Sequence, residues 1–206
     1  RSTLFPYTTL FRSLELEKKR RISNKNALIE AGAEEISRYG IAGFSMRHVA
    51  DKCGVSCAAP AKHFGDKQGF IAAIIKYINR QWKDTQKKIV ERYKGDPRRI
   101  LVESSMAYVD FLVENPHFRT VITINDKDFD STYHHVRGSV NVITRTYVGR
   151  YCRDVQMPKD VMQRKLYVVI ALIYGAALMF DNGEMEYNDE MKGYVRDCID
   201  REFDLP

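Results

Sequence analysis

The feature that most constrains this chain is a pair of short helical segments joined by a tight turn within residues 45–66. Ser45 is a favourable N-cap for a first helix, MRHVADKC, and Gly54 suits the left-handed conformation that ends helices. Ser56 is predicted to cap a second helix, which Gly65 then ends. A short helix, a turn containing glycine and another short helix have the spacing of a helix-turn-helix. The alternative is a connector in an ordinary helical bundle.

The rest of the chain is also predicted to be helical, because apolar residues recur at helical spacing between glycine and proline breaks. No strand alternation or internal repeat is evident. The sequence therefore predicts an all-α protein with about nine helices. Besides the two short helices, the predicted segments are 27–39 (closed by Gly40), 67–93, 97–114, 116–124, 131–155, 159–180 and 188–203.

The longest apolar run, residues 168–180 (VVIALIYGAALMF), has 13 residues. A membrane span needs about 20 apolar residues, so this run predicts a buried helix and no membrane partner. No signal-peptide pattern precedes the four cysteines. Free thiols are therefore expected, as in the proteins of a reducing compartment. We therefore expect a cytoplasmic protein.

The first thirteen residues, RSTLFPYTTLFRS, repeat themselves (STLF, then TTLF) and join no later pattern. They resemble translated sequencing-adapter read-through, and a disordered native arm is the alternative. We accordingly assign residues 1–17 to a leader outside the fold, residues 18–66 to a helix-turn-helix domain and residues 67–206 to a second helical domain.

Charge is also spread unevenly along the chain. Residues 1–94 carry a net charge of +10 and residues 95–206 a net charge of −4, within a whole-chain value of +6. A basic N-terminal portion joined to an acidic remainder indicates a module that binds a polyanion. The alternative is a solvated lysine-rich face.

The second short helix has the properties of a helix that enters the DNA major groove. Cys57, Ala58 and Ala59 are small enough to let the backbone approach base edges. The free N–H groups from Ser56 onward attract phosphate. Pro60 is expected at about the fourth helical position, where it would strain the first turn slightly. The cations that follow, Lys62, His63 and Lys67, are placed to reach the sugar-phosphate chain.

The stretch LIEAGAEEISRYGIAGFSMRHVADKCGVSCAAPAKHFGDKQGF resembles the DNA-binding domain of TetR-family transcriptional regulators. The resemblance implies a three-helix DNA-binding domain followed by a helical bundle for ligand binding and dimerisation. It therefore implies a sequence-specific, ligand-responsive repressor that binds a double-stranded DNA operator. The matching positions are Gly40, Ser45, Val49, Ala50, Gly54-Val55-Ser56, His63-Phe64 and Lys67.

The resemblance also implies residue roles. Ser45 and Arg47 would contact backbone phosphates, as would His63 and Lys67. The basic segment 18–21 would lie as an arm in the adjacent groove or act as a non-specific tether. The residues implied to face the groove are Ser56, Cys57, Ala58, Ala59 and Lys62.

For the second domain, the resemblance implies a homodimer in which the last two helices, about 159–181 and 188–203, form a four-helix bundle with their partners. It also implies a pocket for a small apolar or aromatic effector. Aromatic residues at helical spacing serve equally as plain core, which is the alternative for each of them. The candidate ligand-binding residues are Trp82, Tyr108, Phe111, Tyr133, His134, Tyr147, Tyr151 and Tyr174.

Two departures from the family pattern, Pro60 and Ala61, support an alternative function. Ala61 stands where the family often has a phosphate-contacting tyrosine, so the chain could be a small-molecule-binding protein whose DNA-binding function is weakened or lost. Enzymatic chemistry is not indicated, because no nucleophile, base and acid occur together. Cys53 and Cys57 with His63 lack a suitably spaced fourth metal ligand, and Gly54 is predicted to break the helix between the thiols. We expect no catalytic residue, metal or cofactor.

Overall fold

The computed structural model describes the backbone of residues 7–123 and 142–204 and the side chains of residues 24–123 and 144–204. Those residues form helices and no β-strand, which confirms the predicted all-α class. The nine helices within these ranges are α1 (Tyr7–Gly43), α2 (Met46–Lys52), α3 (Ala59–Phe64), α4 (Lys67–Arg92), α5 (Pro97–Glu114), α6 (Pro116–Thr123), α7 (Val142–Asp154), α8 (Lys159–Asp181) and α9 (Asp189–Glu202).

Several helices begin where the sequence places a capping side chain. Ser45 accepts a hydrogen bond from the His48 backbone N–H at 3.3 Å, at the start of α2. Asp66 accepts one from Gly69 at 2.7 Å, and Asp96 accepts one from Arg99 at 2.9 Å. Each cap satisfies a backbone donor that has no partner within its own helix.

The first helix is longer than predicted. It begins at Tyr7 rather than at Ala27. Gly40 has φ 69° and ψ 176°, so the regular helix is interrupted where the sequence predicts its end. The assignment of residues 1–17 to a leader of non-native origin stays a prediction.

One hydrophobic core lies beneath the N-terminal helices. Leu28 and Ile36 of α1 are buried against Phe70 and Ile74 of α4, and Phe118 of α6 closes the same cluster. The first half of α4 therefore belongs to the core that supports α2 and α3. The predicted boundary after Asp66 stays a prediction, but residues beyond it complete this core.

A second core lies between α5, α7, α8 and α9. It includes Leu112, Val148, Ile173 and Ile199, all of them buried. The second half of α4 reaches this region through Trp82, which is 3% exposed. Thus α4 runs from the first core to the second.

The C-terminal helix is held to α5 by charged side chains. Arg98 Nε lies 2.9 Å from Asp200 Oδ1, and Arg98 Nη2 lies 2.7 Å from Asp204 Oδ1. The hydrogen bond to Asp200 is the main cause that raises the pKa of Arg98. Arg196 on α9 donates to Glu103 on α5 at 2.6 Å.

The prediction that the apolar run forms a buried helix is wrong for one side of α8. Its inner side packs in the second core through Val169 and Ile173, whereas Tyr167 is 76% exposed and Ile170 is 50% exposed. The helix is apolar around most of its circumference, but the neighbouring helices α5 and α9 cover only part of it. An apolar surface therefore remains on the outside of the single chain.

By length and composition alone, α8 would qualify as a membrane span, and it is the one helix in the described ranges that does so. Core and interface helices meet the same criteria, so a single such helix is weak evidence for a membrane. An exposed apolar side of this kind is typical of a surface that associates with another protein surface.

Candidate nucleic-acid interface and internal cavity

The short helix α3 begins later than the sequence predicts. Ser56 is not its cap: Ala58 occupies the N-cap position without a side-chain hydrogen bond, and the Ala59 N–H donates to the Ser56 carbonyl at 2.9 Å in a preceding turn. Pro60 therefore lies in the first helical turn rather than at the fourth position. Proline is favoured there, because its missing N–H would have no helical partner and its fixed φ suits the helix.

The predicted recognition segment lies on the surface. Ser56, Cys57, Ala58 and Lys62 are exposed, and Ala59 is half-buried. The large apolar groups of α3 point the other way, since Pro60 is buried. The exposed side is thus made of small side chains followed by a lysine.

Aromatic contacts fix the inner side of α3 to the first core. The Phe64 ring stacks on Phe70 of α4 with centroids 4.0 Å apart and an angle of 10°. Phe44, between α1 and α2, meets the other side of this pair edge-on, 5.3 Å from Phe70. Such ring pairs stabilise by roughly 0.5–1.5 kcal/mol beyond the area that they bury. They give a six-residue helix a defined position that its own hydrogen bonds would not provide.

Ion pairs fix α2 against α1. Glu34 pairs with Lys52 and, at 2.8 Å, with Arg38. The hydrogen bond from Lys52 is the largest cause that lowers the pKa of Glu34. His48 Nδ1 lies 3.3 Å from Glu35 Oε1. These contacts hold α2 at a fixed angle and leave Arg47 exposed beside it.

Two predicted phosphate contacts already have intramolecular partners. The Ser45 oxygen accepts the α2 cap bond, and its hydroxyl proton is still able to donate elsewhere. The Lys67 ammonium donates to the Ala42 carbonyl at 2.9 Å, at the end of α1. His63 is half-buried beside Phe64. The structure therefore brings Ser45, His63 and Lys67 to the same end of the molecule as α3, and their DNA contacts stay predictions.

The two N-terminal thiols face different neighbours. Cys53 Sγ lies 3.6 Å from the Ala27 carbonyl, and burial raises its pKa. Cys57 Sγ lies 3.9 Å from Asp51 Oδ1. Gly54, with φ 63°, separates them as predicted. Among the described residues, no three His, Cys, Asp or Glu side chains are grouped to hold a metal ion.

A cavity of about 460 Å³ lies between α4, α5, α7 and α8. Three of the predicted ligand-binding residues line it, namely Trp82, Tyr108 and Tyr174. The Trp82 and Tyr108 rings are 4.7 Å apart, and Tyr174 meets Tyr108 edge-on at 6.4 Å. The volume is within the range of small-molecule sites.

The other predicted ligand-binding residues fall elsewhere. Phe111 lies behind Trp82, with ring centroids 5.8 Å apart, and does not line the cavity. Tyr147 packs against the second core, and Tyr151 donates its hydroxyl proton to the Phe203 carbonyl. These three aromatic residues pack in the core. The sequence pattern did not separate them from the cavity residues, because it does not show which neighbouring helix covers each helix face. Tyr133 and His134 lie outside the described residues.

The polar part of the cavity wall is absent from the predicted ligand-binding residues. Its members are Ser104, Ser105, Thr144 and Arg145. The serine pair was detectable, since Ser104 and Ser105 follow Glu103 within the mostly apolar segment ILVESSMAYV. Ser105 uses its hydroxyl to donate to the Leu101 carbonyl at 2.8 Å. Nothing local in the sequence distinguishes Arg145 from the other arginines of α7.

The cavity wall is joined to α4 by a partly buried hydrogen bond. Gln86 is 1% exposed and donates its amide to Thr144 Oγ1 at 2.9 Å. Nearby, burial and then the Tyr174 phenol raise the pKa of Tyr108, so its hydroxyl stays neutral. A ligand in this cavity would therefore meet a wall that is coupled directly to α4.

The comparisons with known proteins agree on one family. Residues 28–74 match the model of bacterial regulatory proteins of the tetR family. The HTH-type transcriptional regulator BetI of Paraburkholderia phytofirmans is 32% identical over 152 residues, which cover 72% of this chain and 76% of that protein.

Solved structures show the same fold. A TetR family transcription regulator from Marinobacter aquaeolei superposes with a TM-score of 0.71 and 17% identity, over 90% of this chain and 97% of that one. FadR from Bacillus subtilis in complex with stearoyl-CoA gives a TM-score of 0.66 and 11% identity, over 84% of this chain and 96% of that one.

Proposed function

Because the chain belongs to the tetR family of bacterial regulatory proteins, and so is a DNA-binding transcriptional regulator, we propose that it acts in the cytoplasm as a homodimeric, ligand-responsive repressor. The observation that carries this proposal is the arrangement of α3. Its exposed side consists of small residues and Lys62, and its inner side is anchored by the Phe64–Phe70 stack.

The exposed side of α3 suits the major groove. Small residues at the N-terminal part of the helix let its backbone approach base edges, where each base pair has its own donor and acceptor pattern. Lys62 is the side chain best placed to bond a base or a phosphate, and Arg47 would position α2 on the backbone. The alternative function, with DNA binding weakened, rested on two residues. Pro60 lies in the first helical turn, where proline is favoured, and it is buried, whereas Ala61 still lacks the phenol that would contact a phosphate.

Dimerisation is supported by the apolar surface of α8 and α9. Tyr167, Val168 and Met179 of α8 and Tyr194 of α9 are exposed and border one open groove. Monomeric proteins seldom leave such a continuous apolar surface uncovered. Pairing with the same helices of a second copy would cover it and would carry two α3 helices to successive major-groove faces, roughly 34–36 Å apart.

Regulation is supported by the route of α4. This helix contributes Phe70 to the core beneath α3 and Trp82 to the cavity wall. An apolar or aromatic effector that binds the cavity preferentially when α4 is displaced would shift the population away from the DNA-binding form. The loss of DNA-binding free energy cannot exceed the difference between the effector's binding free energies for the two forms.

The proposal is tested by fluorescence anisotropy with DNA from upstream of the protein's own gene and with a scrambled duplex. We expect tighter binding to the native sequence, and binding that weakens with salt. Lys62→Ala should cost roughly 1–3 kcal/mol, and Lys88→Ala, at an exposed position late in α4, should cost little. Equal affinity for the two duplexes would refute sequence-specific binding.

The dimer is tested separately by sedimentation. Tyr167→Glu places a charge on the exposed side of α8 and should shift the protein to monomer, because an unpaired charge would be buried between the subunits. Tyr39→Glu is the control, since Tyr39 is 58% exposed on α1, far along the chain from α8. A Tyr167→Glu protein with the mass of the wild type would place the interface elsewhere.

A further inference from the structure

The charge of the cavity wall limits what the cavity binds. Among the described residues that line it, Arg145 is the one charged side chain, and no carboxylate is present. Arg145 is exposed, so its guanidinium lies at the mouth of the cavity rather than in its depth. Within the described ranges, no acidic side chain forms an ion pair with it. Within the part of the chain whose side chains the structure describes, the mouth therefore carries a positive charge that no carboxylate neutralises.

The depth of the cavity is apolar and aromatic. Trp82 is 3% exposed, and Val169 and Ile173 are nearly as well buried. The Tyr108 phenol stays neutral because burial raises its pKa. The Ser105 hydroxyl donates to the Leu101 carbonyl, and Thr144 Oγ1 accepts from the Gln86 amide, so among the described contacts the Thr144 proton is the one of these two that stays available. This part of the wall therefore favours hydrocarbon or an aromatic ring over a charged group.

We propose that the cavity binds an apolar carboxylic acid as its anion, with the carboxylate at the Arg145 guanidinium and the hydrocarbon body against Trp82 and Tyr108. The guanidinium donates two parallel hydrogen bonds to a carboxylate, which a lysine or a hydroxyl does not match. The inference rests on the proposed effector role of the cavity and names the chemical class of the effector.

A cationic ligand is the competing class, because aromatic rings also attract cations. Two observations disfavour it. Arg145 would repel an ammonium group at the mouth, and the described wall offers no carboxylate to neutralise one in the interior. Taking an unpaired ammonium group out of water is costly. The test therefore compares ligands that share one hydrocarbon body and differ in the charge of the head group.

The experiment uses isothermal titration of the full chain, without DNA, with octanoate, 1-octanol and octylamine below their micelle concentrations. We expect octanoate to bind tightest. Arg145→Gln should weaken the binding of octanoate about fivefold, which is the size expected for a solvent-exposed ion pair. The same variant should leave the affinity for 1-octanol unchanged. Unchanged 1-octanol binding also shows that the variant is folded. Arg150→Gln is the matched control on α7, since Arg150 lies over the Tyr147 ring and does not line the cavity.

Octanoate binding no tighter than 1-octanol, tightest binding of octylamine, or equal weakening of octanoate and 1-octanol by Arg145→Gln would each overturn the proposal. A separate anisotropy measurement with operator DNA distinguishes the proposed ligand class from the proposed effector role of the cavity. Octanoate that binds through Arg145 without releasing DNA would uphold the ligand class and refute its effector role. If octanoate does not bind and a compound other than an acid releases the DNA, the effector role of the cavity is upheld and the proposed ligand class is refuted.

Discussion

Replacing Gly69 by alanine should destabilise the protein, although helix propensity alone predicts the opposite. Gly69 lies in the first turn of α4, and its N–H donates to the capping carboxylate of Asp66 at 2.7 Å. A Cβ atom at this position would overlap the Phe64 carbonyl oxygen, far inside van der Waals contact, and would lie 3.3 Å from Asp66 Oδ1. Because the obstacle is backbone, no side-chain rotation relieves it. The start of α4 must move away from α3.

The magnitude follows from the contacts that such a movement weakens. Alanine gains about 1 kcal/mol over glycine in helix propensity. Against this stand about 1–3 kcal/mol for overpacking, about 1 kcal/mol for the weakened Asp66 cap and roughly 1 kcal/mol for the disturbed stack of Phe64 on Phe70. The net loss is about 2–4 kcal/mol, which corresponds to a fall of at least about 4 °C in Tm for a chain of this size.

Thermal unfolding followed by circular dichroism measures this loss, and anisotropy with operator DNA measures the displacement of α3. Gly193→Ala is the control, since a Cβ there meets no atom within 4 Å and should stabilise the protein by up to about 1 kcal/mol. A Gly69→Ala protein as stable as the wild type, with unchanged DNA affinity, would show that the junction between α3 and α4 is not held as described.

Two further predictions concern contacts on either side of the molecule. The Lys52 hydrogen bond lowers the pKa of Glu34 below its ordinary value of 4.5, so its stabilisation is present above that value and is lost as the pH falls through the lowered pKa. The Tm gap between wild type and Glu34→Gln should therefore be open at neutral pH and close in acid, and a gap independent of pH would contradict this. Thr144→Val should cost about 1–3 kcal/mol by leaving the buried Gln86 amide unpaired, and adding Gln86→Met should recover most of the loss in chemical denaturation. A double variant less stable than Thr144→Val would refute the pairing.

The helix ends could be predicted from the sequence because capping is local. Ser45 caps α2 as predicted, and Asp66 and Asp96 cap α4 and α5 by the same local rule, since each cap joins a side chain to a backbone N–H three residues on. Ser56 fulfils the same local rule and yet does not cap α3. Pro60 decides instead, because proline is most favourable within the first helical turn.

Features that depend on distant neighbours could not be predicted. By helix propensity Gly69 is simply an unfavourable residue in α4, and only the position of the Phe64 carbonyl shows why glycine is required there. The apolar composition of α8 indicated burial, but the number of neighbours within one chain determines how much of a helix is covered.

For the cavity, the sequence identified Trp82, Tyr108 and Tyr174 by residue type. It did not separate them from Phe111 and Tyr151, which belong to the core, because composition does not show which helix faces meet. Arg145 is in the wall because α7 packs beside α5, a contact that no local pattern encodes.

Methylation protection of operator DNA tests the central claim most directly. Dimethyl sulfate modifies guanine N7, an atom that lies in the major groove and that an inserted helix covers. The wild-type protein should protect guanines in two patches separated by roughly one helical turn or a multiple of it, as expected for two α3 helices carried by a dimer, and Lys62→Ala should weaken both patches together. Tight binding to the operator with every major-groove N7 still reactive would contradict the insertion of α3.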